Sequence, residues 1–267
     1  MPFLIGPFAL PVTPVLLLGS LLVGLLVAAI LGRKRNIAVS DPLLTIFYIS
    51  LLVGRAVFVL RFQESYQSVW EVLDIRDRGF DLSSSVLTGA LLLIVQLKRK
   101  PEQRLVLISA ATTTTLLFII SLSVVNAGRQ QSVMPDLVLE QLNGQEINIK
   151  QISEDKLTVV NLWASWCPPC RREMPVFADA QKLNPNIRFI MLNQGESAST
   201  VKQFLHRIKQ QFGYVMLDKN GDMATIMNAH GLPMTLYYDQ DGNLVDSHFG
   251  EVSAATLQLA IQTLQKP

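Results

Sequence analysis

Four apolar runs, at roughly residues 11–31, 42–60, 82–97 and 105–125, constrain the fold of this chain more than any other feature. A helix that crosses a bilayer needs about 20 predominantly apolar residues, within a range of about 17–25. The first and fourth runs meet that length, and the second meets it while carrying one charge, Arg55. The third has 16 residues, so it reads as either a short span or a re-entrant segment. These runs lift the mean hydropathy of the 267 residues to +0.32. Residues 126–267 lack such runs and read as an ordinary globular domain. The sequence therefore predicts two parts: a four-helix transmembrane region over 1–127 and an α/β domain over 128–267.

Basic residues predict the orientation. A cleaved secretory signal carries positive charge ahead of its apolar stretch. Here nothing basic precedes the first run, and Arg33-Lys34-Arg35 follows it. Loop 32–41 holds three Lys/Arg and loop 98–104 holds four, whereas loop 61–81 has three against five acidic residues. The positive-inside rule puts the two basic loops in the cytoplasm. Both ends of the chain are then expected outside, in the periplasm of a bacterial inner (cytoplasmic) membrane, where disulfide chemistry is normal. An intramembrane charge is a functional hypothesis by default. Arg55 is expected instead to snorkel near the external end of its helix or to pair with Asp74 or Asp77.

The formal charge of +2 splits into +4 over residues 1–125 and −2 over 126–267. Neither half concentrates basic residues as nucleic-acid binding requires. The two cysteines, Cys167 and Cys170, stand three positions apart. That spacing implies redox chemistry or half of a metal site, not a disulfide framework. Zinc would want a second cysteine pair or histidines at fixed spacing. The three histidines, His206, His230 and His248, are scattered and give neither. No metal and no cofactor is expected, and no catalytic role falls to those histidines.

Residues 126–133 read as a linker. Alternating segments flank Asn143-Gly144, the strongest short-range signal for a hairpin. Residues 157–163 form a continuous apolar run suited to a buried central strand. It leads into Trp166-Cys167-Pro168-Pro169-Cys170 and a helix reaching about Leu183. A strand over 187–192, a helix over 198–211, a strand over 214–217 and a helix over 222–229 follow. A hairpin over 234–249, turning at Asp241-Gly242, and a helix over 253–265 complete an α/β sandwich.

Residues 159–170 (VVNLWASWCPPC), continuing to Glu173-Met174-Pro175, resemble the thioredoxin-like oxidoreductases of the TlpA/ResA/CcmG group. Gly231-Leu232-Pro233-Met234-Thr235-Leu236 and Asp241-Gly242 carry the same resemblance. It spans nearly all of 134–267 and implies a thioredoxin-like fold and thiol–disulfide exchange. Asn161 stands where soluble thioredoxins have a buried Asp, and Pro168-Pro169 replaces their Gly-Pro. Both differences point to the extracytoplasmic subgroup. At a helix start, unpaired N–H groups and the dipole stabilise a thiolate. Cys167 is therefore expected to be the exposed attacking thiol, and Cys170, one turn on, the buried resolving one. Pro168 and Pro169 fit the first helical turn and deny the Cys167 thiolate two N–H donors, which favours a reducing protein. From sequence alone Pro233 reads as a trans turn proline; the resemblance implies a cis bond and a position facing the cysteines. Glu173 is either a proton relay for Cys170, as the resemblance implies, or a solvated charge, or one half of a salt bridge with a Lys or Arg on the same helix. Trp163 is expected in the core and Trp166 exposed beside the site.

The first third of the chain resembles the N-terminal half of prolipoprotein diacylglyceryl transferases through Ile5-Gly6-Pro7, Gly54-Arg55 and residues 75–89. That family has His-Gly-Gly where this chain has Asp81-Leu82-Ser83, and no histidine occurs in 1–205. An anchor without transferase activity is expected. No cysteine lies in the membrane region, so electrons must come from another protein, of the CcdA/DsbD type by resemblance. The expected partners are periplasmic disulfide-containing clients, that donor and the lipid bilayer; cytochrome c maturation is one candidate pathway. A disulfide-forming oxidase of the same fold, and a redox-independent binding module, remain alternatives.

Overall fold

The computed structural model describes residues 3–5, 8–10, 12–35, 37, 40–66, 68–127, 132–229 and 231–265. Gly6 and Pro7 of the first motif, residues 128–131 of the expected linker, and His230 lie outside the described residues. Two compact units emerge: Leu10–Val72 with Gly79–Gln130, and Met1–Ala9 with Leu73–Arg78 and Gln131–Pro267.

The first of these units is helical. Helices α1 (Val12–Arg35), α2 (Ser40–Arg61), α3 (Leu82–Arg99) and α4 (Arg104–Ala127) are each long and apolar enough to cross a membrane. The third apolar run is one continuous helix of 18 residues. Asp81 caps it, its side chain accepting the Ser84 N–H. At about 1.5 Å per residue it reaches nearly the thickness of a hydrocarbon core. Helix α1 packs on α4, and α2 on α3. Small residues allow the approach: a Cβ on Gly24 would meet Thr114, and one on Gly54 would meet Ser85. Leucines and isoleucines such as Leu22, Leu26, Leu52, Leu60, Leu91 and Ile120 point outward. An apolar outer surface is what a lipid environment demands.

Of the two expectations for Arg55, snorkelling fails: only 8% of it is exposed. Its guanidinium donates to the carbonyls of Glu71, Val72 and Gly79, and it lies 5.6 Å from the Tyr66 ring centre. A cation in apolar surroundings needs such partners, and these carbonyls supply them from the connection between α2 and α3. Arg55→Ala would leave those carbonyls without their donor. It should destabilise this unit by roughly 2–3 kcal/mol, read as a lowered unfolding temperature in detergent. An unchanged temperature would show that the bonds carry nothing.

The other unit is built on a seven-stranded mixed sheet. Its strands are β1 (Val138–Gln141), β2 (Glu146–Asn148), β3 (Thr158–Trp163), β4 (Arg188–Gln194), β5 (Tyr214–Asp218), β6 (Met234–Tyr238) and β7 (Leu244–Phe249). Their order across the sheet is β2-β1-β5-β4-β3-β6-β7. β3 runs parallel to β4 and antiparallel to β6, with Trp163 opposite Asn193 and Asn161 opposite Thr235. The helices are α5 (Ile149–Ser153), α6 (Pro168–Leu183), α7 (Ala198–Ile208), α8 (Asp222–Ile226) and α9 (Ala254–Leu264).

Successive strand residues point to opposite faces, so a sheet covered on both sides needs apolar residues at every position. Val159, Trp163, Phe189, Met191, Val215, Leu217 and Tyr237 form one core with Met174 and Phe177 of α6, Phe204 of α7 and Leu257 of α9. Val160, Leu162, Ile190, Leu192, Met216 and Leu236 form the other, with Ile149 of α5 and Met223 of α8. The helix expected over 198–211 ends three residues sooner, because Lys209 adopts a left-handed conformation (φ 54°). The helix expected over 222–229 stops at Ile226, and Asn228 beyond it also has positive φ (48°).

Candidate active site: a disulfide at the start of a helix

Strand β3 ends at Trp163, and α6 begins after four intervening residues. Cys167 is its N-cap residue: the sulfur accepts the Cys170 N–H at 3.3 Å, while its own N–H donates to the Ala164 carbonyl. Pro168 and Pro169 open the helix, where their missing N–H groups would have no intrahelical partner. One turn separates the cysteines, and their sulfurs are joined in a disulfide. The expectation that Cys167 is exposed fails for this oxidised form: it is 3% exposed, and Cys170 is fully buried. Both sulfurs sit in the core with Met174 and Phe177, against which Leu232 also packs. At that exposure a client sulfur reaches Cys167 only after the packing over it loosens.

Pro233 follows a cis peptide bond, as the resemblance implied. It stands immediately before β6, whose Met234 lies opposite Leu162 of the cysteine-bearing strand. Its carbonyl accepts the Gly250 N–H. A cleft of about 300 Å³ adjoins this loop, lined by Gln194, Gly195, Gly221, Gly231 and Leu232 among others. Trp166 is 68% exposed beside the cysteines, and Trp163 is fully buried.

Glu173 is not the solvated charge that one reading of the sequence allowed. It is 1% exposed, one helical turn beyond Cys170. Its carboxylate accepts from Asn161 Nδ2 at 2.8 Å and from the Val252 N–H at 3.1 Å. Asn161 also donates to Thr235 Oγ1. Burial pushes the Glu173 carboxyl up to about 8, outweighing those two bonds, which favour the charged form. The ion pair expected along the helix goes elsewhere: Arg172 grips Glu251 at 2.5–3.1 Å. His248 is half-buried, with Nε2 beside the Arg78 guanidinium and the Glu251 carbonyl. Desolvation, with Arg78 nearby, holds it down to about 3.

Sequence reasoning missed Glu196. Its carboxylate accepts the Ser165 N–H at 2.7 Å, the Ser165 hydroxyl at 2.5 Å and Asn193 Nδ2 at 2.7 Å. Only the pairing of β3 with β4 brings the turn after β4 beside the cysteine loop; the one available signal was an acidic residue just past a parallel strand.

A sheet covered by helices on both faces, with a disulfide opening a helix beyond the central strand, defines a thioredoxin-like oxidoreductase. Residues 129–259 match the Redoxin family. The thiol-disulfide oxidoreductase ResA of Halalkalibacterium halodurans is 30% identical over 135 residues, covering 50% of this chain and 74% of the relative. ResA of Bacillus subtilis is 29% identical over 129 residues, or 46% and 71% of the two chains. A thioredoxin-family thiol:disulfide interchange protein from Chlorobium tepidum superposes with a TM-score of 0.45 at 22% identity, over 51% of this chain and 97% of that one. The chain belongs to the ResA family of thiol-disulfide oxidoreductases.

Proposed function

We propose that this chain is a membrane-anchored reductase of disulfides in proteins outside the cytoplasm, acting through Cys167 and Cys170. Residues 1–127 serve as the transmembrane anchor, related to a diacylglyceryl transferase but without its activity, and residues 128–267 as the redox domain. The observation that carries the reading is the buried carboxyl of Glu173, poised near neutrality one turn from a cysteine pair at a helix start.

In the reduced protein, the Cys167 thiolate attacks one sulfur of a client disulfide. The client bond breaks, its second sulfur leaves as a thiolate, and a mixed disulfide forms. Cys170 then loses its proton to ionised Glu173 and attacks the Cys167 sulfur. The client departs with both sulfurs reduced, and the Cys167–Cys170 disulfide remains. Two electrons have passed to the client, and a membrane donor of the CcdA/DsbD type returns two to the pair. Proton transfer is fastest when acid and base have matched affinities near the working pH, which a carboxyl at about 8 provides for a thiol. The backbone edge at Leu232-Pro233, whose Leu232 packs against the core that holds both sulfurs, offers an extended client segment a place to dock.

Direction follows from potential. The prolines deny Cys167 two backbone donors, and no histidine stands between the cysteines to stabilise a thiolate; Arg171 and Arg172 act the other way, but both are exposed to screening solvent and Arg172 is paired with Glu251. Equilibration with a dithiol buffer should give a potential near that of thioredoxin, about −270 mV, and a value near −120 mV would make the protein an oxidase. Reporter fusions should place loop 98–104 in the cytoplasm and the C-terminal domain on the opposite side; a cytoplasmic redox domain would overturn the extracytoplasmic assignment.

A further inference from the structure

Glu196 gathers three donors, two of them from Ser165, which lies two residues before Cys167. It follows Gly195, whose positive φ (72°) turns the chain back over the end of β4 and whose N–H donates to the Asp218 carbonyl. The third donor, Asn193, lies opposite Trp163, the last residue of β3. One carboxylate thus ties the connection between β3 and α6 to the neighbouring strand on one side, while the Ala164 carbonyl holds the Cys167 N–H on the other. Trp166, between Ser165 and Cys167, projects into solvent, whereas Ala164 and Cys167 are buried in the core. Bonds to a charged acceptor are the stronger kind, and here both oxygens are used.

From this geometry we infer that Glu196 is a positioning residue for Cys167, fixing where the helix N-terminus meets the sulfur and adding negative charge beside it. A negative charge near a thiol raises its proton affinity. The other charges around the site are Arg171 and Arg172 on α6, buried Glu173, and Glu251, which pairs with Arg172. From α7 the neighbour is the uncharged Phe204 ring, beneath Arg171. From the loop before β6 it is Leu232. Glu196 is therefore the acidic group that touches the cysteine loop itself.

The inference rests on the thiol-exchange reading, and the test separates the two. Reduced full-length protein in detergent is alkylated with iodoacetamide across pH 5–9, and its disulfide is reduced by dithiothreitol in parallel. Glu196→Gln keeps an acceptor for Ser165 but removes the charge. Its alkylation midpoint should fall by about half a pH unit or more, with an unchanged unfolding temperature. Glu196→Ala loses the clamp as well, and its reduction by dithiothreitol should change at least about fivefold. Rescue of that rate by Gln distinguishes positioning from charge. If the Ala variant folds and both its pH profile and its rate superimpose on those of the unaltered protein, Glu196 does not position Cys167; a Gln variant with an unshifted midpoint would show that its charge does not act on the thiol. If the unaltered protein itself undergoes no exchange with dithiothreitol, the thiol-exchange reading fails first.

Discussion

Cys167→Ser is expected to abolish disulfide reduction, by on the order of 10³-fold or more, because it removes the group that attacks. Cys170→Ser should stop turnover just as completely but at a later stage, since the first attack needs only Cys167. Two variants with equal losses and different stopping points would identify the order of the steps. The structure makes the division of labour physical. Cys167 caps α6 and receives an N–H on its sulfur, whereas Cys170 lies inside the first turn with no exposure. Cys167 is thus the sulfur a client reaches after a small opening, and Cys170 the one that waits in the core. Stopped-flow consumption of a model disulfide, with turnover measured alongside, checks this. If Cys170→Ser were the variant that failed to make the first attack, the roles would be reversed.

The second large effect concerns Glu173 and pH. Its carboxyl stands at about 8 in the folded protein against 4.5 in an unfolded chain. Between those values the folded state holds a proton that the unfolded state has released. Its contribution to stability is therefore complete below about 4.5 and is lost as pH rises through 8. At about 1.4 kcal/mol per unit, the loss reaches several kcal/mol over the window. His248 works in the opposite sense, since its affinity falls from 6.5 to about 3 on folding. Its contribution is present above 6.5 and lost as pH falls towards 3. The two roughly cancel from 4.5 to 6.5, so denaturant titrations should show a plateau there and a decline from 6.5 to 8. Glu173→Gln should abolish the decline while costing about 1–2 kcal/mol at pH 5, because a single carbonyl oxygen cannot serve both Asn161 and Val252. It should also slow client release about 10²-fold, as removal of a proton acceptor does. A decline that survives the substitution would place its origin elsewhere.

Much of the fold was legible in the sequence because its signals are local. Apolar length predicted the four long helices, and Asn143-Gly144 predicted the β1–β2 hairpin. A run interrupted only by Thr158 and Asn161 predicted the buried strand β3. Helix ends were less legible: Lys209 adopts a left-handed conformation, as does Asn228 past α8, and the sequence marks neither. The cysteine pair was legible from spacing, whereas its surroundings depend on contacts between distant segments. Glu173 meets a backbone N–H 79 positions away, so nothing along α6 could tell a buried acid from a solvated one. Glu196 reaches Ser165 across 31 positions through the parallel pairing of β3 and β4. The inward turn of Arg55 depends in the same way on carbonyls 16–24 residues distant.

The most direct measurement is the mass of the Cys170→Ser protein after reaction with a disulfide-bonded peptide. The expected product is one peptide attached per chain, and proteolytic mapping should find it on Cys167 alone. A folded variant that acquires no peptide, or acquires it at another site, would contradict nucleophilic exchange through this pair.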